Sequence, residues 1–217
     1  MAEVNPVREV DISIDGASLK GNLGVPAGAR AIVLFAHGSG SSRFSPRNRF
    51  VAQQLRDGGL ATLLFDLLTE KEEAVDVYTG EYRFDIELLS NRLVGATDWT
   101  TKNPETADLK IGYFGASTGA AAALIAASKR PDLVYAVVSR GGRPDLAGEA
   151  LQEVKAPTLL IVGGNDTPVI ELNKEAMEQI PAEKKLVIIP GATHLFEEPG
   201  ALEEVARLAR EWFVSHI

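Results

Sequence analysis

Apolar runs recur along this chain at 31–36 (AIVLFA), 60–65, 133–138 and 157–162, broken only by Thr62 and Thr158. A run of that length with no polar face is the pattern of a strand buried on both sides, as in a parallel sheet. The shorter run at 110–114, with Ile111, Tyr113 and Phe114, predicts a central strand, and 185–189 a last one. Between these runs the spacing is helical. Segment 45–57 opens with Ser45-Pro46 and closes at Gly58-Gly59. In 85–99, Ile86, Leu89, Leu93 and Val94 share one face. Segment 120–127 is alanine-rich, 170–179 predicts a further helix, and 199–215 is amphipathic. At the start, 7–14 alternates, Asp15-Gly16 marks a turn and 17–25 returns, which predicts a hairpin at an antiparallel edge. Segment 67–83 carries Glu70, Glu72, Glu73, Asp76 and Glu81 without apolar periodicity, and reads as a long acidic surface loop.

Strands alternating with helices predict an α/β fold: βαβ units, a mostly parallel sheet and helices on both faces. With no repeat and no low-complexity linker, residues 1–217 read as one domain. Ligands of such sheets bind beyond the carboxyl ends of strands. His37, Asp66, Ser117, Ser139, Asp166 and His194 all fall just past predicted strand ends.

The segment around Ser117 says most about chemistry. Gly115-Ala116-Ser117-Thr118-Gly119 matches G-x-S-x-G, with a strand before it and a helix after it. A serine that attacks a carbonyl must present its hydroxyl at the tip of a tight, strained turn. Side chains two residues either side would collide there, so Gly115 and Gly119 make the turn possible. The helix behind Ser117 aims free N–H groups and its positive end at developing negative charge.

A serine nucleophile needs a base. His194 follows the last strand, and an imidazole can take the serine proton and return it to the leaving group. Asp166, in the turn Gly163-Gly164-Asn165-Asp166, is the candidate carboxylate to orient His194. The chain order Ser, Asp, His supports both assignments. Glu197 and Glu198 stand too near His194 in sequence for that role. His37 opens the loop His37-Gly38-Ser39-Gly40 and is expected to shape it by local hydrogen bonds, and His216 is expected at the surface. The oxyanion would be held by the backbone N–H of Thr118 and of Ser39.

Composition narrows the field. There is no cysteine among the 217 residues, so thiolate catalysis, disulfides and cysteine-bound metal centres are excluded. With three histidines, a multi-histidine metal site is not expected, and no cofactor is implied. The net charge of −8 argues against nucleic acid or an anionic membrane as partner. No segment is apolar enough to span a bilayer, and a cytoplasmic location is expected. Arg43, Arg47 and Arg49, with Arg140 and Arg143, lie near predicted strand ends. They read either as a seat for a substrate carboxylate or phosphate or, the preferred reading, as ion-pair partners of the acidic segment 70–85.

The motifs HGSG at 37–40, GASTG at 115–119, GGND at 163–166 and GATH at 191–194 resemble those of the α/β-hydrolase superfamily, in its dienelactone-hydrolase-like branch. The likeness extends over nearly the whole chain. It implies an eight-stranded, mostly parallel sheet and acyl-enzyme chemistry on a small ester. Family members typically use a cysteine nucleophile where this chain has Ser117, which points to a serine carboxylesterase. Only 139–156 separates two strands where related proteins insert a cap, so no cap domain is expected. Acyl transfer, thioester cleavage and peptide cleavage use the same triad. A non-catalytic ligand-binding protein can be built on the same scaffold.

Overall fold

The computed structural model describes residues 6–217. Eight strands, β1 (Arg8–Ile14), β2 (Ala17–Gly24), β3 (Ala31–Ala36), β4 (Ala61–Phe65), β5 (Lys110–Ala116), β6 (Val134–Arg140), β7 (Thr158–Gly163) and β8 (Lys184–Ile189), form one sheet in the order β1-β2-β4-β3-β5-β6-β7-β8. The β1–β2 and β2–β4 pairings are antiparallel, and every other pairing is parallel. Six α-helices accompany them: α1 (Pro46–Asp57), α2 (Glu70–Thr79), α3 (Ile86–Thr100), α4 (Thr118–Lys129), α5 (Thr167–Gln179) and α6 (Ala201–Ser215).

Burial follows the polarity pattern. All residues of β3, β4 and β7 are buried, whereas β1 alternates. Successive side chains of a strand point to opposite faces. Ile32 and Leu34 therefore join Leu89, Leu93 and the α4 alanines in one core layer. Val33 and Phe35 join Val51, Leu55, Val205 and Phe213 of α1 and α6 in the other. Tyr113 carries a hydroxyl deep into the first layer. Its hydroxyl meets Thr97 Oγ1 at 2.5 Å, and Thr97 Oγ1 donates to Leu93 C=O at 2.9 Å. β8 is the second rim of the sheet and opens with two exposed lysines, Lys184 and Lys185. The ammonium of Lys184 reaches back to the carbonyl of Ile180 at 2.5 Å.

The acidic segment 67–83 departs from the loop expected there. It contains α2, made by its ends rather than by an apolar face. Thr69 and Glu72 form a reciprocal capping box, and Gly80 closes the helix at φ 68°. Asp76, buried in an otherwise exposed helix, accepts from the N–H groups of Tyr82 and Arg83 and from the Arg83 guanidinium at 2.6 Å. Between β6 and β7 the chain makes only a 3-10 segment, Pro144–Glu153. No cap domain covers the strand ends.

Candidate active site

β5 passes directly into α4 through Ser117, whose φ of 51° and ψ of −123° lie where L-residues are rarely found. Neighbours on both sides hold it there. The Ser117 N–H donates to Arg140 C=O at 3.3 Å, while its own C=O accepts from Arg143 N–H at 3.0 Å and Ala120 N–H at 3.1 Å. The flanking glycines are required by close backbone approach. A Cβ on Gly119 would sit 2.1 Å from Ala36 O, and one on Gly115 would sit 2.5 Å from Ala120 Cα. The buried, uninterrupted alanines 120–123 let α4 lie this close to the sheet.

His194 and Asp166 come from different loops. Asp166 is the residue that precedes α5, and His194 follows β8. The Asn165 N–H donates to Ala192 C=O at 2.9 Å, and the Asn165 amide group donates to Gly191 C=O at 2.9 Å, so the two loops are tied together. His194 Nδ1 lies 2.6 Å from Asp166 Oδ2. An ionised carboxylate can only accept, so Nδ1 carries the proton and Nε2 is left as the acceptor nitrogen. Glu197 instead faces Arg47, at 3.5 Å.

Ser117 and His194 line the same cavity of about 250 Å3, together with Gly38, Ser39, Arg47 and Arg140. Three larger clefts, of about 530, 600 and 380 Å3, are present among the described residues, and none is lined by Ser117 or His194. Thr118 and Ser39 meet beside the serine in an unexpected way: the Ser39 N–H donates to Thr118 Oγ1 at 2.9 Å. That amide is therefore engaged with a side chain in this structure. The hydroxyl of Thr118 fastens the loop after β3 to the first turn of α4.

His37 makes the local bond expected of it and one longer-range bond that was not expected. Leu67 N–H donates to its Nε2 at 3.1 Å, and its Nδ1–H faces Gly38 C=O at 2.9 Å. Burial pushes its pKa below the ordinary value, outweighing the opposing pull of Gly38 C=O and Asp66. The imidazole thus bridges the ends of β3 and β4 in its neutral form. Asp66 serves Arg43 rather than His194, accepting from its N–H at 2.8 Å and pairing with its guanidinium at 3.3 Å. Ser139 is fully buried and faces Gly142 rather than the cavity. His216 is not free at the surface: it stacks on Trp212 with ring centroids 4.5 Å apart, and its Nδ1 lies 2.7 Å from Trp212 C=O.

Among the described residues, none of Arg43, Arg47, Arg49, Arg140 and Arg143 pairs with segment 70–85, whose Glu72 and Asp76 pair with Arg92 and Arg83 instead. Arg43 pairs with Glu9 and Asp66, Arg143 with Asp145, and Arg47 with Glu197. Arg140 lies at a strand end, as expected, but without the ion pair preferred for it. It ends β6, is 7% exposed, and lines the cavity beside Ser117. Its signal was an arginine closing the strand run VYAVVS, where a charge has no solvent-facing side.

Comparison with known proteins agrees with this architecture. A family model described as the dienelactone hydrolase family matches residues 19–213. The crystal structure of a dienelactone hydrolase from Anabaena variabilis is 63% identical, with a TM-score of 0.98 over 99% of this chain and 100% of that one. Est1E from Butyrivibrio proteoclasticus has the same fold, with a TM-score of 0.79 at 18% identity over 96% of this chain and 98% of that one. Two Mycobacterium tuberculosis proteins, each called "Putative phosphoribosyl transferase", are 57% identical over 209 residues. That match covers 96% of this chain and 46% of each of theirs, so the chain spans about half the length of these curated relatives.

Proposed function

Because this chain belongs to the dienelactone hydrolase family, we propose that it is a serine esterase that cleaves small carboxylic esters through Ser117, His194 and Asp166. One observation carries the reading. A strained serine at the head of α4 shares a cavity with a histidine whose other ring nitrogen is held by a carboxylate at 2.6 Å. Ser117 Oγ attacks the ester carbonyl as its proton passes to His194 Nε2. Asp166 keeps the ring in the required tautomer and stabilises the cation that forms. The tetrahedral oxyanion takes the N–H of Thr118, which is unused at the first position of α4. The Ser39 N–H is the second donor once the Thr118 hydroxyl yields it. His194 then protonates the leaving alcohol, and water activated by the same imidazole resolves the acyl-enzyme.

The transferase name of the longer relatives describes proteins of which this chain spans less than half. A nucleophile, a base and an orienting acid at Ser117, His194 and Asp166 favour acyl-enzyme chemistry over phosphoribosyl transfer. The test is turnover of p-nitrophenyl acetate together with labelling of Ser117 by a fluorophosphonate. Ser117→Ala should abolish labelling and lower kcat by at least about 10³-fold, with an unchanged melting temperature. Wild-type turnover by that variant would refute the assignment.

A further inference from the structure

The cavity that holds Ser117 and His194 also holds a charge without a counter-charge. Arg140 makes no ion pair among the described residues, and its Nε and Nη1 have no hydrogen-bond partner there. Arg47 lines the same cavity. Its Nε is also without a partner, and its one carboxylate, on Glu197, is 3.5 Å away on a largely exposed side chain. Burial, and after it the nearby charge of Arg47, push the Arg140 pKa down to about 10. The guanidinium therefore remains protonated at neutral pH with two of its three nitrogens buried and unpartnered.

Proteins pair or hydrogen-bond the charges they bury. An arginine left unpaired beside a nucleophile is a seat for something absent from the free protein. The surroundings specify its sign and size. Ser45, Arg47 and Asn48 at the start of α1 line the cavity too, so the positive end of that helix dipole lies beside it, although the Asn48 N–H is held by Ser45 Oγ at 3.3 Å. Two guanidinium forks and a helix N-terminus balance a dianion better than a single carboxylate, and planar guanidinium groups grip phosphate oxygens in pairs.

We propose that Arg140 and Arg47 form the specificity subsite of this enzyme, seating a phosphate-type dianion carried by the ester substrate. The group sits in the Ser117 cavity and holds the scissile carbonyl in register with Ser117. The turnover arm of the test rests on the esterase reading, and the binding arm does not.

In the binding arm, the melting temperature of the whole chain is followed with inorganic phosphate against chloride at equal ionic strength. Phosphate should raise it in the wild type, and the rise should disappear in Arg140→Gln and shrink in Arg47→Gln. In the turnover arm, kcat/KM is compared for p-nitrophenyl esters of propionate, succinate and 3-phosphonopropionate. The phosphonate ester should exceed the neutral one by about 10- to 100-fold, mostly through KM. That ratio should fall towards unity in Arg140→Gln and be partly restored in Arg140→Lys. A ratio is read, so a general loss of activity does not mimic the result. If Arg140→Gln does not fold, Arg140→Lys and Arg47→Gln carry the comparison.

Equal turnover of all three esters, or no phosphate-specific thermal shift, overturns the subsite while leaving the esterase intact. A preference for succinate over phosphonate overturns the dianion. Absence of turnover on every ester, with phosphate still stabilising through Arg140, refutes the esterase reading and leaves the subsite standing.

Discussion

Replacing Asp166 by asparagine removes one charge and leaves the shape of the site unchanged. In the wild type the carboxylate lies 2.6 Å from His194 Nδ1. If Ser117 attacks as proposed, the imidazole becomes a cation whose charge is centred about 4 Å from that of Asp166. The histidine side chain is 38% exposed and the aspartate 14%, a partly solvated setting. Two unit charges at that separation interact by about 4 kcal/mol at an effective dielectric of about 20. At 1.36 kcal/mol per decade this is about 10³ in rate. Asparagine can also present its NH2 group to Nδ1 and so stabilise the tautomer in which Nε2 carries the proton and cannot accept another. The combined loss should approach about 10⁴ in kcat, with KM little changed. Stopped-flow release of p-nitrophenol from the acetate ester measures it, and the rate of fluorophosphonate labelling should fall in parallel. Asp66→Asn is the control, since that carboxylate serves Arg43, and its kcat should stay within a few-fold of wild type. An Asp166→Asn enzyme within tenfold of wild type, or an Asp66→Asn enzyme equally impaired, would refute the assignment of the orienting acid.

Two further outcomes follow from packing and burial. Gly119→Ala places a methyl group 2.1 Å from the carbonyl oxygen of Ala36; the strand or the helix must shift. The cost should be about 3 kcal/mol or more, read as a fall in melting temperature of roughly 6–12 °C, and an unchanged midpoint would show that the turn is loose. His37 is buried neutral with its pKa held below 6.5. Below that pH the unfolded chain takes up a proton that the folded chain resists. Its contribution to stability is therefore complete above pH 6.5 and lost as pH falls towards the depressed folded value. His37→Gln, which can accept from Leu67 N–H and donate to Gly38 C=O, should flatten the slope of melting temperature against pH between about 7.5 and 5.5. A slope identical to wild type would remove His37 as its source.

The parallel sheet was readable because its strands announce themselves: AIVLFA at 31–36 has no polar face, so both faces must be covered. The elbow was readable because its glycines, serine and alanines are contiguous. Other features depend on residues far apart in the chain. α2 has no apolar stripe; Val77 and Tyr78 point into solvent, and the helix is fixed by Thr69, Glu72, Gly80 and the buried Asp76. Its caps were present in the sequence, but without periodicity nothing joined them into a helix. The partners of Arg43 depend on the spatial order β1-β2-β4, which brings Glu9 and Asp66 to one place. The bond between Ser39 and the Thr118 hydroxyl joins two motifs 79 positions apart, and no local pattern records it. The burial of Arg140 is a consequence of β6 lying inside the sheet, between β5 and β7.

The pair of lysines that opens β8 bears on how crowded copies of the chain behave. A sheet that does not close on itself leaves two rims with unsatisfied backbone groups, and each is a template on which another molecule can grow. At the β8 rim a newcomer's ladder would have to accommodate two ammonium groups, one of which already caps the carbonyl of Ile180. Exposed Ile188, close by on the same strand, is the residue most inviting to such growth. The lysines act as its gatekeepers, keeping an aggregation-prone border wet at high concentration.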